Sequence, residues 1–420
     1  MAENNGLPPA ASEKWAHRAD LAESAINERH ASKLWGLART NLATVAWPPL
    51  AKERLFIRWH YWWQAHYLDC LIDAYQRRGT KTRRRRIADT IRGITLRNGG
   101  KLRRNRYYDD RAWLALALGR VARDNGLRTP KQLSDLEHSI MEGIDGLTGV
   151  LPWRVGETFY NVPSNGPAAI MMARTGRLDK AIETVDWVLE NLIDDTGLVM
   201  DGLRMRMHGP EIVRNIHPYC QGVMLGACLE IVLDLRRRAG FTGDAPIEDF
   251  EDAERVDEAM PYITFIRSLV QAIAIEMATP SGVIDWDTGD GDGGLFKGIL
   301  VRYLADVAVR LPMDSPANRA TKKIARRLVM HSAESVWNHR LEVDGLPVFA
   351  TDWTDDARLP HNYGLGPRSF AESTGMVRIA ERDLSVQLSG WMLLEAAARI
   401  EGYVAESSAV KRGDQQPKQR

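Results

Sequence analysis

Apolar residues recur with the period of an amphipathic helix along most of the 420-residue chain. They return at positions i, i+3, i+4 and i+7, a spacing that places them on one face of a helix. Glycine follows an arginine-bearing last turn at several predicted ends, as is typical of a helix C-cap. The pattern predicts about twelve to thirteen helices, over residues 13–45 (two helices), 53–78, 84–97, 109–124, 131–144, 164–175, 178–192, 217–238, 256–278, 295–311, 316–338 and 383–401.

The predicted helices come in pairs, with longer loops after every second helix. We find no strong residue-level repeat, but glycine stops at residues 79, 126 and 176 lie about fifty residues apart. A helical-pair period of this size indicates an open solenoid or a closed toroid. Because motif-bearing loops follow alternate helices, we favour an all-α, closed (α/α)6 barrel with one functional face. Short apolar pieces at 197–201 and 282–286 are interpreted as hairpin fragments that do not make a sheet.

The chain shows no internal linker, so one domain is predicted over residues 12–405, between disordered tails at 1–11 and 406–420. Apolar residues make up 44% and charged residues 26%, which is ordinary for a globular protein. The net charge of +1 creates no overall field that would attract nucleic acid or a membrane. The composition predicts no oligomeric state.

Location is inferred from what the N-terminus and the cysteines contain. No secretory signal and no stretch of about 18 apolar residues is visible, so we expect a cytoplasmic protein with no transmembrane segment. The three cysteines, Cys70, Cys220 and Cys228, lie in apolar helical stretches. They are interpreted as buried thiols in a reducing compartment.

Two adjacent acids, Asp109 and Asp110, lie where a helix is predicted to begin. One interpretation is a helix N-cap followed by a first-turn acid, since both are favoured there. The other is the carboxylate pair of a retaining glycosidase, in which a nucleophile and a general acid lie roughly 5 Å apart. The first helical turn would favour one ionised carboxylate, and its charge would raise the pKa of the other.

A second group of polar and aromatic residues lies on the helix that begins near Tyr61. Trp62, His66 and Asp69 share one stripe, and Trp63 lies beside it. The stripe fits an aromatic core helix or a sugar subsite. The His-x-x-Asp spacing has no second cluster to complete a metal site, so no metal is predicted. Farther along, Gln221 opens an apolar helix and needs partners, from a cleft ligand or from a neighbouring carbonyl.

Two charged segments carry further alternatives. Residues 287–294 resemble a calcium loop, but Gly294 stands at the fifth position counted from Asp290 and no closing Glu follows, so we favour a flexible loop at the cleft rim. Residues 77–106 hold thirteen Lys or Arg and one acid. This run is interpreted as a solvated outer face, with weak contact to an anionic surface as the alternative. It lacks interleaved aromatic residues, so no nucleic-acid partner is predicted.

Taken together, the motifs resemble those of glycoside hydrolase family 76, the endo-α-1,6-mannanases. The resemblance runs in order from about Trp62 to Tyr303. Its pieces are Trp62–Ala65, Tyr108–Asp110 with Trp113, Gly149–Trp153, Asp201–Leu203, Tyr219 with Gln221–Gly222, and Phe296–Gly298 with Arg302–Tyr303.

The resemblance implies an (α/α)6 barrel and retention of anomeric configuration, with Asp109 as nucleophile and Asp110 as general acid/base. It implies no cofactor and an α-1,6-linked mannoside substrate, in mannan, manno-oligosaccharides or mannolipid glycans. The motifs and the resemblance together give the candidate substrate-binding residues Trp62, Trp63, Gln64, His66, Tyr108, Trp113, Asn161, Asn165, Asp201, Tyr219, Gln221, Lys297 and Arg302, with a helix N-cap as the alternative for Asn165.

The chain departs from the family pattern at residues 160–166, where a family Lys and Glu are missing. Linkage, chain length and sugar identity therefore stay open. Two alternatives stay open as well: a transglycosidase that uses the same acid pair, and a carbohydrate-binding toroid without catalysis. An epimerase on a similar barrel would use catalytic histidines, and His217 and His361 lack a recognisable setting for that role.

Overall fold

The structure is a computed structural model, and it describes residues 13–124, 132–244, 250–360 and 379–413. The predicted tail at 1–11, residues 414–420 and His361 lie outside these ranges. Within the described ranges the helices are α1 Lys14–Arg29, α2 Ala51–Arg54, α3 Tyr61–Arg77, α4 Lys81–Arg97, α5 Tyr108–Asp124, α6 Gln132–Met141, α7 Val162–Arg174, α8 Leu178–Asn191, α9 Pro218–Arg238, α10 Phe250–Arg255, α11 Met260–Glu276, α12 Phe296–Arg310, α13 Pro316–Asn338 and α14 Leu384–Gly413.

Six of these helices close into an inner ring. Each of α3, α5, α7, α9 and α12 packs on the next, and α14 packs on both α12 and α3. An outer helix covers each of them: α4, α6, α8, α11 and α13 pack on the inner helix that precedes them, and α1 packs on α14. The predicted (α/α)6 barrel is confirmed. Helix α9 is long and apolar enough by composition to cross a membrane, but 83% of its most apolar window is buried inside the barrel.

The loops contain more strand than the sequence indicated. Strands β1 (Ala31–Ser32) and β2 (Leu42–Ala43) pair, as do β6 (Leu341–Val343) and β7 (Leu346–Val348). Strands β3 (Phe159–Asn161), β4 (Met200–Arg206) and β5 (Gly209–Ile216) form an antiparallel sheet. The prediction that the piece at 197–201 makes no sheet was therefore wrong, because β4 pairs with a strand forty residues earlier in the chain.

Two predicted helices near the N-terminus also differ. Residues 31–46 form a hairpin and a short 3₁₀ turn instead of a second helix, with Trp35 and Arg39 at positive φ. The predicted helix 53–78 is broken into α2 and α3, because Phe56 and His60 have φ of 53° and 44°. Bulky side chains disfavour that conformation, so a tertiary constraint overrides the helical pattern here. At the other end, α14 continues to Gly413, past residue 405, where a disordered tail was predicted to begin.

Four buried amide side chains repeat one arrangement at the inner helices. Gln64, Asn165, Gln221 and Gln387 are each the fourth residue of their helix. The oxygen of each accepts a hydrogen bond, 2.7 to 3.0 Å long, from the N–H of one residue in the preceding segment. The nitrogen of each donates to the carbonyl of the same residue and to a carbonyl near the start of its helix. The residues held in this way are Ala43, Leu151, Val199 and Phe349.

We call these four side chains the amide clamps. Three of them, Gln64, Asn165 and Gln221, were predicted to bind substrate. Each is fully buried and already makes three hydrogen bonds to the backbone. The substrate-binding prediction is therefore wrong for all three. Their role is to attach the loops at one end of the barrel to the inner helices.

Replacing Gln221 by alanine should lower the free energy of unfolding by about 3 kcal/mol. The change leaves the buried N–H and C=O of Val199 without their partner, and an unsatisfied buried polar group costs about 1–3 kcal/mol. Chemical denaturation measures the difference. Gln271→Ala, on the exposed face of α11, is the matched control and should change stability by less than about 0.5 kcal/mol. Equal stability of both variants would contradict the role of the clamp.

Candidate active site

Asp109 and Asp110 are the second and third residues of α5 and are held by different partners. One oxygen of Asp109 accepts from the backbone N–H of Asp110 at 2.9 Å, and the other accepts from the indole Nε1 of Trp153 at 3.1 Å. Oδ2 of Asp110 accepts from Nδ2 of Asn105 at 2.5 Å. The two neighbouring carboxylates are therefore oriented independently, and both are partly exposed.

Burial and mutual repulsion separate the two acids electrostatically. Burial raises the pKa of Asp109 to about 6, against the lowering effect of its two hydrogen-bond donors. Burial, followed by the negative charge of Asp109, raises the pKa of Asp110 well above its ordinary value. The hydrogen-bond donors of Asp109 favour its charged form, and the charge of Asp109 favours the protonated form of Asp110. This is the division of roles that a retaining glycosidase requires.

Asp201 and Tyr219, which were predicted to bind substrate, lie close enough to Asp109 for its charge to act on both. Asp201 belongs to β4, and burial, with the nearby charge of Asp109, raises its pKa to about 6. Tyr219 opens α9, and its ring stacks on Phe296 with centroids 4.0 Å apart. Burial raises the pKa of the Tyr219 phenol, and the charges of Asp201 and Asp109 act in the same direction. These two residues bring an acid and an aromatic platform to the carboxylate pair.

A fourth acid, Asp292, enters the site from the glycine-rich loop. Its Oδ1 accepts from the indole nitrogens of both Trp62, at 3.0 Å, and Trp63, at 2.8 Å. Its charge contributes to the raised pKa values of both Asp109 and Asp110. The sequence predicted only a flexible rim loop here, whereas the structure shows a loop that is anchored to α3.

The glycines of this loop are explained by close approach. A Cβ at position 293 would lie 1.7 Å from the carbonyl oxygen of Thr288, and one at position 294 would lie 2.5 Å from Oγ of Ser385. Any other residue would push the loop away from the start of α14. Gly293 and Gly294 therefore allow the loop to lie where Asp292 reaches the two indoles.

Trp62, His66 and Trp113 form the layer beneath the acids. The ring of His66 lies 5.4 Å from that of Trp62 and 4.7 Å from that of Trp113, centroid to centroid. Burial, followed by the charge of Arg302, lowers the pKa of His66 well below its ordinary value, so its ring is neutral. Nε2 of His66 has no hydrogen-bond partner among the described residues. The predicted aromatic stripe thus lies under the acids as an uncharged layer.

Arg302 was predicted to bind substrate, and the structure contradicts this. It lies below the aromatic layer, at the wall of a cavity of about 520 Å³ on the barrel axis. Its guanidinium lies 2.6 Å from Asp73 and 3.2 Å from Asp69, and Arg120 contacts the same two acids. Arg302 therefore neutralises acids inside the barrel, on the far side of His66 from the carboxylate pair.

Three more predicted substrate-binding residues have structural roles instead. Trp63 is fully buried and stacks on His60, so only its indole N–H reaches the site, where it holds Asp292. The ring of Tyr108 packs against Gly143, where a Cβ would lie 2.2 Å from it. The side chain of Asn161 caps α7 by accepting from the backbone N–H of Ser164.

Lys297 is turned toward a different group of residues. Its Nζ lies 5.2 Å from the ring centroid of Trp353. Burial lowers its pKa to about 8, against the raising effect of Asp352, Asp285 and Asp287. None of the acids around the carboxylate pair acts on it, so a direct role beside Asp109 and Asp110 is not supported.

The sequence prediction missed four residues of the site: Asn105, Trp153, Asp292 and Phe296. Trp153 and Phe296 fall inside motifs that carry the family resemblance, and Asn105 lies in the segment before the acid pair. Their positions in or near these motifs could have identified them as site residues. Asp292 could not have been identified in this way, apart from its glycine-rich setting, because its contacts with α3 join residues more than two hundred positions apart.

An (α/α)6 barrel with paired acids and stacked aromatic rings at one end defines a glycoside hydrolase of the helical-toroid class. The comparison with protein families agrees, since residues 50–372 match the model of glycosyl hydrolase family 76. The chain belongs to that family. Among curated proteins, no sequence matches it.

Solved structures show the same fold over nearly the whole chain. The family 76 α-1,6-mannanase of Salegentibacter sp. HEL1_6 is 26% identical, with a TM-score of 0.70 over 92% of this chain and 99% of that one. An inactive variant of that enzyme, with two adjacent aspartates replaced by alanine, was solved with α-1,6-mannotetrose; it is 24% identical, with a TM-score of 0.71 over the same shares. A protein of Listeria innocua is 24% identical, with a TM-score of 0.71 over 92% of this chain and 97% of that one.

Replacing Asp292 by asparagine should move the pH profile of hydrolysis toward lower pH. If Asp109 acts as the nucleophile and Asp110 as the general acid, ionisation of Asp109 sets the acidic limb and loss of the Asp110 proton sets the basic limb. Removing the negative charge of Asp292 lowers both pKa values, so both limbs move down. Asparagine keeps the oxygen that accepts from Trp62 and Trp63. The check is a profile of initial rate against pH; an unmoved profile, or one displaced upward, rules out the electrostatic role.

Proposed function

We propose that this protein is a retaining glycoside hydrolase that cleaves α-1,6-mannosidic bonds, with Asp109 as nucleophile and Asp110 as general acid/base. The observation that carries the proposal is the pair of adjacent acids at the start of α5. They have separate hydrogen-bond partners, Trp153 and Asn105. Burial raises the pKa of both acids, and the charge of Asp109 raises that of Asp110 further. Transglycosylation uses the same first step and differs only in the acceptor.

In the first step, Asp109 attacks the anomeric carbon while Asp110 gives its proton to the departing glycosidic oxygen. The Trp153 N–H keeps the attacking carboxylate in place. Once Asp109 is an ester, its negative charge is gone, and the second cause of the raised pKa of Asp110, after burial, is removed. Asp110 is then a carboxylate that removes a proton from water, and the water releases the sugar with its original anomeric configuration.

Other residues of the site suit a sugar with positive charge developing at its ring. Asp201 and Asp292 add negative potential, and their oxygens can accept hydrogen bonds from sugar hydroxyls. The stacked pair Tyr219 and Phe296, with Trp62 nearby, offers apolar faces for a pyranose ring. The linkage and the sugar are proposed from the α-1,6-mannanase relative and its mannotetrose complex.

Asp109→Ala and Asp110→Ala should each reduce hydrolysis of an α-1,6-linked manno-oligosaccharide by about a thousandfold or more. The roles of the two acids can be distinguished with an aryl α-mannoside as the substrate and azide as an added nucleophile. Azide should restore turnover of both variants, because it fits the space that the carboxylate leaves. The Asp109 variant should give the inverted mannosyl azide by direct attack, and the Asp110 variant the retained product by attack on the glycosyl-enzyme. NMR of the product assigns the anomer.

Asp195→Asn is the matched control, because Asp194 and Asp195 form another adjacent pair in an exposed turn. It should keep the wild-type rate. Thermal unfolding of every variant shows whether lost activity follows lost structure. Wild-type activity in a folded Asp109 or Asp110 variant ends the proposal, and exchange of the two azide products reverses the two roles.

A further inference from the structure

Exposed apolar side chains are concentrated on one part of the surface. Among the described residues, six of the thirteen exposed large hydrophobic side chains come from residues 35–57 and the end of α4. Trp35 is 56% exposed, Leu55 53% and Ile57 68%. Apolar patches of this kind on a soluble protein usually mark a contact with another molecule.

These side chains form one continuous patch although they come from three segments. Nε1 of Trp35 donates to the carbonyl of Leu55 at 2.8 Å. Nε of Arg97, next to Leu96, donates to the carbonyl of Phe56 at 2.8 Å. The backbone of Asn41 lies against α4, where a Cβ at Gly93 would be 2.4 Å from its oxygen. The loop before β2, the segment after α2 and the end of α4 are therefore joined.

The exposed charged side chains within residues 31–60 are all positive. Residues 31–60 contain five Lys or Arg and one acid, Glu53, which is 1% exposed. Arg92 lies one turn before Leu96 on α4 and is exposed as well. We call the whole set the apolar–basic face. Its members are Trp35, Leu37, Leu55, Ile57 and Leu96 with Lys33, Arg39, Lys52, Arg54 and Arg92.

Two arginines of the basic run at 77–106, which the sequence offered as an anionic contact, have partners inside the protein. Arg77 and Arg83 are buried in ion pairs with Asp20, Glu23 and Glu395. The candidate surface for an anionic partner is therefore the face where the end of this run meets residues 33–57.

Part of the backbone of this face has an energetically unfavourable conformation. Among the described residues, four of the five non-glycine residues at positive φ are Trp35, Arg39, Phe56 and His60. Each costs on the order of 1 kcal/mol or more. Trp35 is both strained and 56% exposed, so the fold keeps this indole in solvent at a cost in free energy, which is consistent with use in a contact.

We propose that the apolar–basic face docks on an anionic lipid bilayer. Trp35 suits the interface between headgroups and acyl chains, Leu55 and Ile57 enter the apolar layer, and the Lys and Arg residues bind lipid phosphates. Charge complementarity selects this partner, because the face offers no exposed acid to a basic one. Nucleic acid fits less well, since its backbone offers nothing to the exposed leucine and isoleucine side chains.

The face lies next to the cleft. Only Arg58 and Trp59 separate Ile57 from His60, whose ring stacks on Trp63 and whose Nδ1 lies 4.0 Å from Asp292. Three residues of extended chain span at most about 10 Å. A docked molecule therefore keeps one wall of its active-site cleft close to the bilayer.

Co-sedimentation with phosphatidylcholine vesicles, with and without phosphatidylglycerol, tests the proposal. The wild-type chain should pellet with the anionic vesicles only, and less at high salt. Trp35→Ala with Ile57→Ser should weaken binding about tenfold by removing apolar contact area. Lys52→Glu with Arg54→Glu should do the same through charge, without touching the apolar residues.

Ile275→Ser with Arg326→Gln is the matched control, because both residues are exposed on outer helices elsewhere on the barrel. It should bind like the wild type. Hydrolysis of a soluble oligosaccharide should be unchanged in all variants, since none lies in the cleft. Equal pelleting with neutral vesicles, full binding by both face variants, or binding to RNA that is lost in the same variants overturns the proposal. So does light scattering that shows the apolar residues buried in a dimer.

Discussion

The amide clamps are the constraint on which the active site depends. The loops that join an outer helix to the next inner helix contain backbone groups that neither helix can satisfy. At four of the six inner helices, one Asn or Gln satisfies both polar groups of a loop residue. Two clamped residues lie directly before functional ones: Leu151 precedes Trp153 by two positions, and Val199 precedes Asp201 by two. Trp153 then holds Asp109, and Asp201 adds its charge beside it. The hydrogen bonds between the amide clamps and these loops therefore position the residues that form the cleft.

The barrel also separates charge along its axis. Four acids gather at the cleft, whereas six arginines line the cavity behind them. Five of these pair with Asp or Glu: Arg120, Arg174, Arg302, Arg310 and Arg399. His66 and Trp113 lie between the two regions. Because burial keeps His66 neutral, no cation stands directly beneath the carboxylate pair to lower its pKa values. The same apolar layer removes water from below Asp109 and Asp110, and this burial is the largest cause of their raised pKa values.

Periodicity predicted the barrel well, because most helices run from a clear start to a glycine or polar stop. The acid pair was predictable for a similar reason: its two members are neighbours in sequence. The role of Gln221 was open, since a buried amide can bind a ligand or a backbone, and only the position of Val199 decides between them. The clamps could not be predicted as a repeat, because they lie at residues 64, 165, 221 and 387, at no fixed interval, and one of them is Asn. Asp292 could not be predicted as a site residue, because the position of its glycine-rich loop depends on packing against α14, which no local sequence pattern describes.

The position of the two acids on one helix explains how neighbours can do opposite work. Successive residues of an α-helix point about 100° apart. The side chains of Asp109 and Asp110 therefore leave the helix in different directions and meet different partners, an indole on a clamped loop and an amide before the helix. An indole N–H can only donate, so it favours the charged form of Asp109. The carboxamide of Asn105 accepts from the backbone N–H of Tyr107 through its oxygen and donates to Oδ2 of Asp110 through its nitrogen, and a carboxyl oxygen can accept that bond in either protonation state. In the proposed mechanism, the indole partner therefore suits the role of Asp109 as the charged nucleophile, and the amide partner suits the role of Asp110 as the acid/base.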